Sequence, residues 1–155
     1  MPVAWRIIKA KHAATAFSGK GAADYGGRWN SRGVAVVYVS LTKSLAVLES
    51  PVHLNPPGRF KFVAFRLQFD DALVEKFPLK KLPADWRVEP PPPSAQQIGD
   101  LWVGEMRSAV LALPSAIIPS EPNFLLNPVH PDFKKISIGK PEPFAFDPRL
   151  LIRRL

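Results

Sequence analysis

The chain has no cysteine, which removes disulfide frameworks and thiolate metal sites together. It also has no apolar run approaching the roughly 20 residues that cross a bilayer. The opening Met1-Pro2-Val3-Ala4-Trp5-Arg6 lacks the basic segment, apolar core and small-residue cleavage site of a secretion signal. These absences set the expectation of a cytoplasmic protein without membrane contact. Histidine is scarce, and His12, His53 and His130 lie far apart, so no metal site is expected. Acidic residues are few: 13 Asp and Glu stand against 21 Lys and Arg, leaving a net charge of +8. Such a field attracts any polyanion, whether nucleic acid, dinucleotide pyrophosphate or acidic partner protein. The basic residues are spread from Arg6 to Arg154, however, and their densest groups, Lys80-Lys81 and Arg153-Arg154, are only pairs. No Gly-x-Ser-x-Gly elbow, Walker loop or Rossmann glycine fingerprint is present. Gly19-Lys20-Gly21 comes nearest and lacks the later glycine.

What is present suits one globular domain over 1–155: hydrophobic residues make up 46% and charged residues 22% of 155 positions. The apolar pattern is mostly strand-like. Residues 3–9 read as a first strand, followed by a loop holding Gly19, Gly21, Gly26 and Gly27, and a β-branched strand over 34–40. Residues 41–54 read as helical, with Leu45, Leu48 and Val52 as a core stripe and Pro51 kinking or ending the helix. Asn55-Pro56-Pro57-Gly58 breaks the chain. Residues 60–69 then alternate, placing Val63, Phe65, Leu67 and Phe69 on one face. The prolines at 90–93 read as a stiff surface spacer. Ser94 and Gln97 have capping-box spacing, opening a helix that buries Ile98, Leu101 and Trp102. Short extended pieces at 109–113, 116–119, 136–138 and 144–146 complete an α+β domain in which strands outnumber helices.

Three segments carry polar side chains in otherwise apolar surroundings. In Tyr25-Gly26-Gly27-Arg28-Trp29-Asn30, two glycines permit close backbone approach to a ligand, and the guanidinium can fork onto phosphate. A tight turn with a surface arginine fits the spacing better. Val37-Tyr38-Val39-Ser40 runs into the helix bearing Glu49, whose carboxylate is either solvated or lines a cleft, where its charge is less screened. Leu113-Pro114-Ser115 precedes a stretch from Pro119 to Pro131, where Asn127-Pro128 and His130-Pro131 favour turns and the segment reads mostly as a loop.

Taken in chain order, these segments resemble the RES domain, named for its arginine, glutamate and serine. Trp5-Arg6-Ile7 is similar to its opening strand and Tyr25 to Asn30 to its glycine–arginine loop. Val37-Tyr38-Val39-Ser40 through Ala46-Val47-Leu48-Glu49, with the later His53, is similar to its strand and glutamate helix. Gly99-Asp100-Leu101-Trp102, Leu113-Pro114-Ser115 and Asn123-Phe124-Leu125-Leu126-Asn127-Pro128 to His130-Pro131 are similar to its closing segments. The similarity runs from Arg6 to about Asp147.

The resemblance implies a single-domain, ADP-ribosyltransferase-like mixed sheet with a few helices. The implied activity is cleavage of the nicotinamide–ribose bond of NAD⁺, a substrate rather than a cofactor, by a toxin encoded beside an Xre-type helix-turn-helix antitoxin. DNA would be reached only through that antitoxin, and a homodimer is compatible with the family. The catalytic positions carried over are Glu49, Arg28, Tyr38 and Ser115, with Arg6 a fifth, either catalytic or structural. Arg28, Tyr38, Arg6, Asn30 and Ser40 form the dinucleotide-binding group. The chemistry suits these residues, because nicotinamide leaves neutral from a cationic state and needs no general acid. One carboxylate, Glu49, suffices to stabilise an oxocarbenium-like ribose. Arg28 would hold the pyrophosphate, Tyr38 would pack against the nicotinamide ring, and Ser115 would orient ribose or amide. The acceptor stays open between water, phosphate and a protein side chain. The competing class is a non-catalytic basic module that binds nucleic acid.

Overall fold

The computed structural model describes residues 1–50 and 60–150. Pro51, Val52, His53, the break at 55–58 and the Arg153-Arg154 pair lie outside the described residues. Eight strands join one mixed sheet: β1 (Val3–Lys9), β2 (Val37–Ser40), β3 (Phe62–Gln68), β4 (Val74–Lys76), β5 (Val110–Pro114), β6 (Pro122–Leu126), β7 (Ser137–Ile138) and β8 (Glu142–Phe144). The order is β4-β5-β6-β2-β1-β3-β7, with β8 also on β3. Every pairing is antiparallel except β4 with β5. Among the described residues three α-helices, α1 (Lys20–Tyr25), α2 (Lys43–Glu49) and α3 (Pro93–Gly104), pack around it. Among the described residues no helix is long and apolar enough to cross a membrane.

Period-two alternation divides the core between the two faces of the sheet. Val37, Val39, Val110, Phe124 and Leu126 join Phe65, Leu67 and Phe69 in one cluster. Their neighbours Leu111, Leu113 and Leu125 join Trp29, Ala95 and Trp102 in the other, which α3 covers. Helix α3 sits very close to the chain beneath it. A Cβ on Gly99 would lie 1.8 Å from the Trp29 carbonyl oxygen, so only glycine permits this contact. Side chains of α3 grip the same segment: Asp100 accepts from the Ser31 amide (2.8 Å) and hydroxyl (2.6 Å), and the Gln96 amide donates to the Gly27 carbonyl (3.0 Å).

Several local expectations are corrected. The loop after β1 contains a 3₁₀ turn over Ala10–Thr15 and the short α1. Helix α2 ends at Glu49, with Ser50 extended at ψ 139°, as the residue before a proline favours. Its core positions are Leu45 and Ala46, while Leu48 is exposed. Likewise α3 buries Ala95, Gly99 and Trp102, and leaves Leu101 exposed. Ser94 caps nothing. Its hydroxyl donates to Asp85 (2.6 Å), and Pro93 opens the helix at a position where proline loses no hydrogen bond. Residues 116–119 form bends and a turn rather than a strand. The largest correction is β6: the stretch read as loop supplies a central strand, paired on both sides. Its apolar run Phe124-Leu125-Leu126 buries both faces, and the proline-linked turn begins only after it.

Candidate active site

A cleft of about 770 Å³ opens beside β1, β2 and α2, within the size range of small-ligand sites. Arg6, Gly27, Arg28, Tyr38, Ser40, Glu49 and Asn123 all contribute to its wall. Arg28 and Glu49, 21 positions apart in sequence, therefore share one cavity.

Glu49 stands at the C-terminal end of α2, one turn beyond the buried Leu45, so it emerges on the helix's inward side. That end of a helix carries partial negative charge, which disfavours a carboxylate unless donors offset it. Two do. The Ser115 hydroxyl donates to Glu49 Oε1 at 2.6 Å, and the Asn123 amide donates to the same oxygen at 2.9 Å. Ser115 is wholly buried, and its Oγ in turn accepts from the Ile117 and Ile118 amides (3.1 and 3.0 Å). Asn123 is oriented by Ser40, its register partner across β2 and β6, whose hydroxyl donates to Asn123 Oδ1 at 2.7 Å. Among the described residues Glu49 Oε2 has no hydrogen-bond partner, and Glu49 itself is exposed to the cleft.

Arg6, midway along β1, donates from Nε to the Ala16 carbonyl (2.8 Å) and from Nη1 to the Tyr38 carbonyl (3.0 Å). Burial brings its pKa down to about 10, which still leaves it cationic at neutral pH. Its guanidinium thus places a fixed positive charge in the wall of the cleft. Arg28 is engaged differently. Nη1 donates to the Trp86 and Val88 carbonyls (2.7 and 2.9 Å), and Nη2 pairs with Glu89 at 2.6 Å. Glu89 is 75% exposed, so this ion pair is of the weak, screened kind.

Tyr38 presents its ring rather than its hydroxyl. The hydroxyl donates to Asn30 Oδ1 (2.6 Å) and accepts from the Trp29 amide (3.0 Å). Burial, foremost, holds its pKa well above the usual tyrosine value, so it stays neutral. Gly27 is required here, since a Cβ would come within 2.6 Å of the Tyr38 hydroxyl oxygen. Asn30 is fully buried. Its amide donates to the carbonyls of Ala22 (2.9 Å), Ser31 (3.2 Å) and Val34 (3.0 Å), which fixes the turn. Trp29 stacks on Trp86 with ring centroids 5.9 Å apart, tying the same turn to the segment that holds Arg28.

The structure thus brings Arg6, Tyr38, Ser40, Glu49 and Arg28 to one cleft, with Ser115 directly behind Glu49 and Asn30 behind Tyr38. Asn123 and Glu89 were not singled out from the sequence. Asn123 had one usable signal, a lone polar residue opening a buried apolar run. Glu89 had none, because its contact with Arg28 spans 61 positions. Among the described residues no three His, Asp or Glu side chains gather as a metal site.

Comparison with known proteins gives the family and the fold. Residues 3–147 match the RES domain model. The chain is 37% identical over 148 residues to Toxin Res of Yersinia enterocolitica, covering 94% of this chain and 97% of that one. It is also 37% identical over 153 residues to the Prs ADP-ribosylating toxin of a Sphingobium species, covering 95% of each. Among solved structures, a chain of the M. tuberculosis MbcT–MbcA toxin–antitoxin complex superposes with a TM-score of 0.71 at 14% identity, over 92% of this chain and 84% of that one. That likeness shows the fold, a single-domain mixed sheet with a few helices, as expected from the sequence.

Proposed function

The chain belongs to the RES domain family of toxins, and from that premise we propose that it cleaves the nicotinamide–ribose bond of NAD⁺. One observation carries the reading: an immobilised carboxylate, Glu49, and a fixed guanidinium, Arg6, line the same cleft. As the C1′–N bond lengthens, its electron pair leaves with nicotinamide and positive charge grows on the ribose. Glu49 stabilises that charge through the oxygen not held by Ser115 and Asn123, where preorganisation avoids a reorganisation cost during reaction. Arg6 attracts the pyrophosphate. Arg28 joins it by exchanging the exposed Glu89 carboxylate for a phosphate oxygen, with the same fork geometry. The Tyr38 ring packs against the nicotinamide.

Water or inorganic phosphate then takes the ribosyl carbon. The test is to follow NAD⁺ and its products by chromatography, with and without phosphate. Nicotinamide release by the wild type is expected, as is a loss of at least about a hundredfold in Glu49→Ala, the scale of removing a main electrostatic stabiliser. A folded Glu49→Ala protein with near-normal turnover would overturn the assignment. Transfer to a protein side chain is the second reading, favoured by the relative named a Prs ADP-ribosylating toxin. Labelled NAD⁺ in a lysate separates the two, because only the second labels protein. The partner is proposed to be an Xre-type antitoxin that restrains the cleft.

A further inference from the structure

Glu49 is the only carboxylate placed in the reaction, yet nothing about a helix-terminal glutamate fixes which of its oxygens faces a substrate. Its side chain has three rotatable torsions, and free rotation would exchange Oε1 and Oε2. The structure removes that freedom. Both donors, Ser115 and Asn123, converge on Oε1 alone. The serine is locked by two backbone amides. Asn123 would be ambiguous by itself, since its amide has a donor end and an acceptor end of nearly equal size. Ser40 resolves this by donating to Oδ1, leaving Nδ2 as the end that points at Glu49. Ser40 is 4% and Asn123 8% exposed, so water competes poorly for these groups. These groups are borne by β2, β6, helix α2 and the residue that follows β5, and the β2–β6 register sets Ser40 opposite Asn123.

We infer that Asn123, its amide oriented by Ser40, is a positioning residue of the reaction: it fixes Glu49 so that a single carboxylate oxygen meets the ribose. Ser40 then acts on the substrate through Asn123 and Glu49 rather than by touching the dinucleotide. The inference rests on the NAD⁺-cleaving reading for its consequence in rate, but the clamp itself can be read without turnover.

The decisive variant is Asn123→Asp, nearly isosteric, compared with Asn123→Ala and Ser40→Ala. Replacing the amide nitrogen by a carboxylate oxygen sets two carboxylates face to face. They can share one proton, which pushes one titration step of the pair above the ordinary carboxylate range. While that proton is held, the introduced carboxylic acid donates to Glu49 as the amide did. Once it is lost, the donor is gone and the charges repel. Carboxyl ¹³C NMR of the protein, with the Glu49 signal assigned by Glu49→Gln, should show in Asn123→Asp a titration step above the ordinary carboxylate range that belongs to the carboxyl pair. In turnover, kcat should fall at least about tenfold in Asn123→Ala at neutral pH, by analogy with the loss of an outer partner that orients a metal ligand, with KM nearly unchanged. Asn123→Asp should regain rate as pH falls through the raised step, and Asn123→Ala should not. Ser40→Ala should lower kcat by a smaller factor. Absence of that raised step in a folded Asn123→Asp protein overturns the clamp. So does wild-type kcat in both Asn123 variants, or a fall in melting temperature with no change in kcat or pH profile. If the wild type consumes no NAD⁺, the functional reading fails, while the NMR titration still decides the clamp.

Discussion

At the scale of single residues, the hydroxyl and the ring of Tyr38 have separate tasks. Its hydroxyl bridges the Trp29 amide and Asn30 Oδ1. Tyr38→Phe leaves both without their partner, a cost of about 1–3 kcal/mol. For a domain of this size that lowers Tm by about 2–12 °C. The ring remains, so turnover by the folded protein should stay within about threefold of wild type. A hundredfold loss in a folded Tyr38→Phe protein would give the hydroxyl a chemical role instead. The Arg28–Glu89 pair yields an opposite expectation. If Glu89 stands where a phosphate oxygen binds, Glu89→Gln frees the fork and lowers KM for NAD⁺. The change should not exceed about fivefold, because an exposed pair is worth no more than about 1 kcal/mol. A raised KM in steady-state kinetics would mean that Glu89 positions Arg28 rather than competing for it. Arg28, Tyr38 and Glu49 were legible in sequence as polar groups within apolar or glycine-rich settings, and Arg6 only through the family resemblance. Their hydrogen-bond partners were not, because each is supplied by a segment far along the chain.

At the scale of elements, the cleft depends on a turn held between β2 and α3. The turn's conformation comes from buried donors and acceptors around Asn30 and from the absence of a Cβ at Gly27 and Gly99. Gly99→Ala drives a methyl group into the Trp29 carbonyl oxygen at 1.8 Å. Overpacking costs typically about 1–3 kcal/mol, and the upper end is expected because backbone cannot rotate away. Tm measured by calorimetry should fall by about 6–12 °C, at about 2–4 °C per kcal/mol. A fall below about 2 °C would mean that α3 shifts freely and does not hold the turn. Strand β3 was readable because alternation is a local signal, and Phe65, Leu67 and Phe69 are buried as the pattern requires. Strand β6 was not. A central strand buried on both faces loses its alternation, and the prolines and asparagines flanking it have the composition of turns.

At the scale of the whole molecule, a +8 chain whose cleft is open presents an anion-attracting field around an exposed carboxylate. An inhibitor that fills the cleft would displace dinucleotide and cover Glu49 together. A co-purified complex with the proposed antitoxin should therefore show almost no NAD⁺ turnover, and activity should return when the partner is removed. A complex that keeps full turnover would mean that inhibition, if it occurs, works away from the cleft.

The sequence by itself determined the class of fold and the family, because hydrophobic period, glycine placement and short ordered motifs are local properties of the chain. It also supplied the chemical types needed at the site: one carboxylate, two guanidinium groups, an aromatic ring and a hydroxyl. The tertiary structure alone decided what each of them touches. Strand order carries Asn123 between Ser40 and Glu49, and helix packing sets α3 onto the Trp29 turn, through contacts spanning up to 83 positions. Hydrogen bonds of that span depend on sheet register, and register is fixed by how both faces of the sheet bury their side chains together rather than by any one segment.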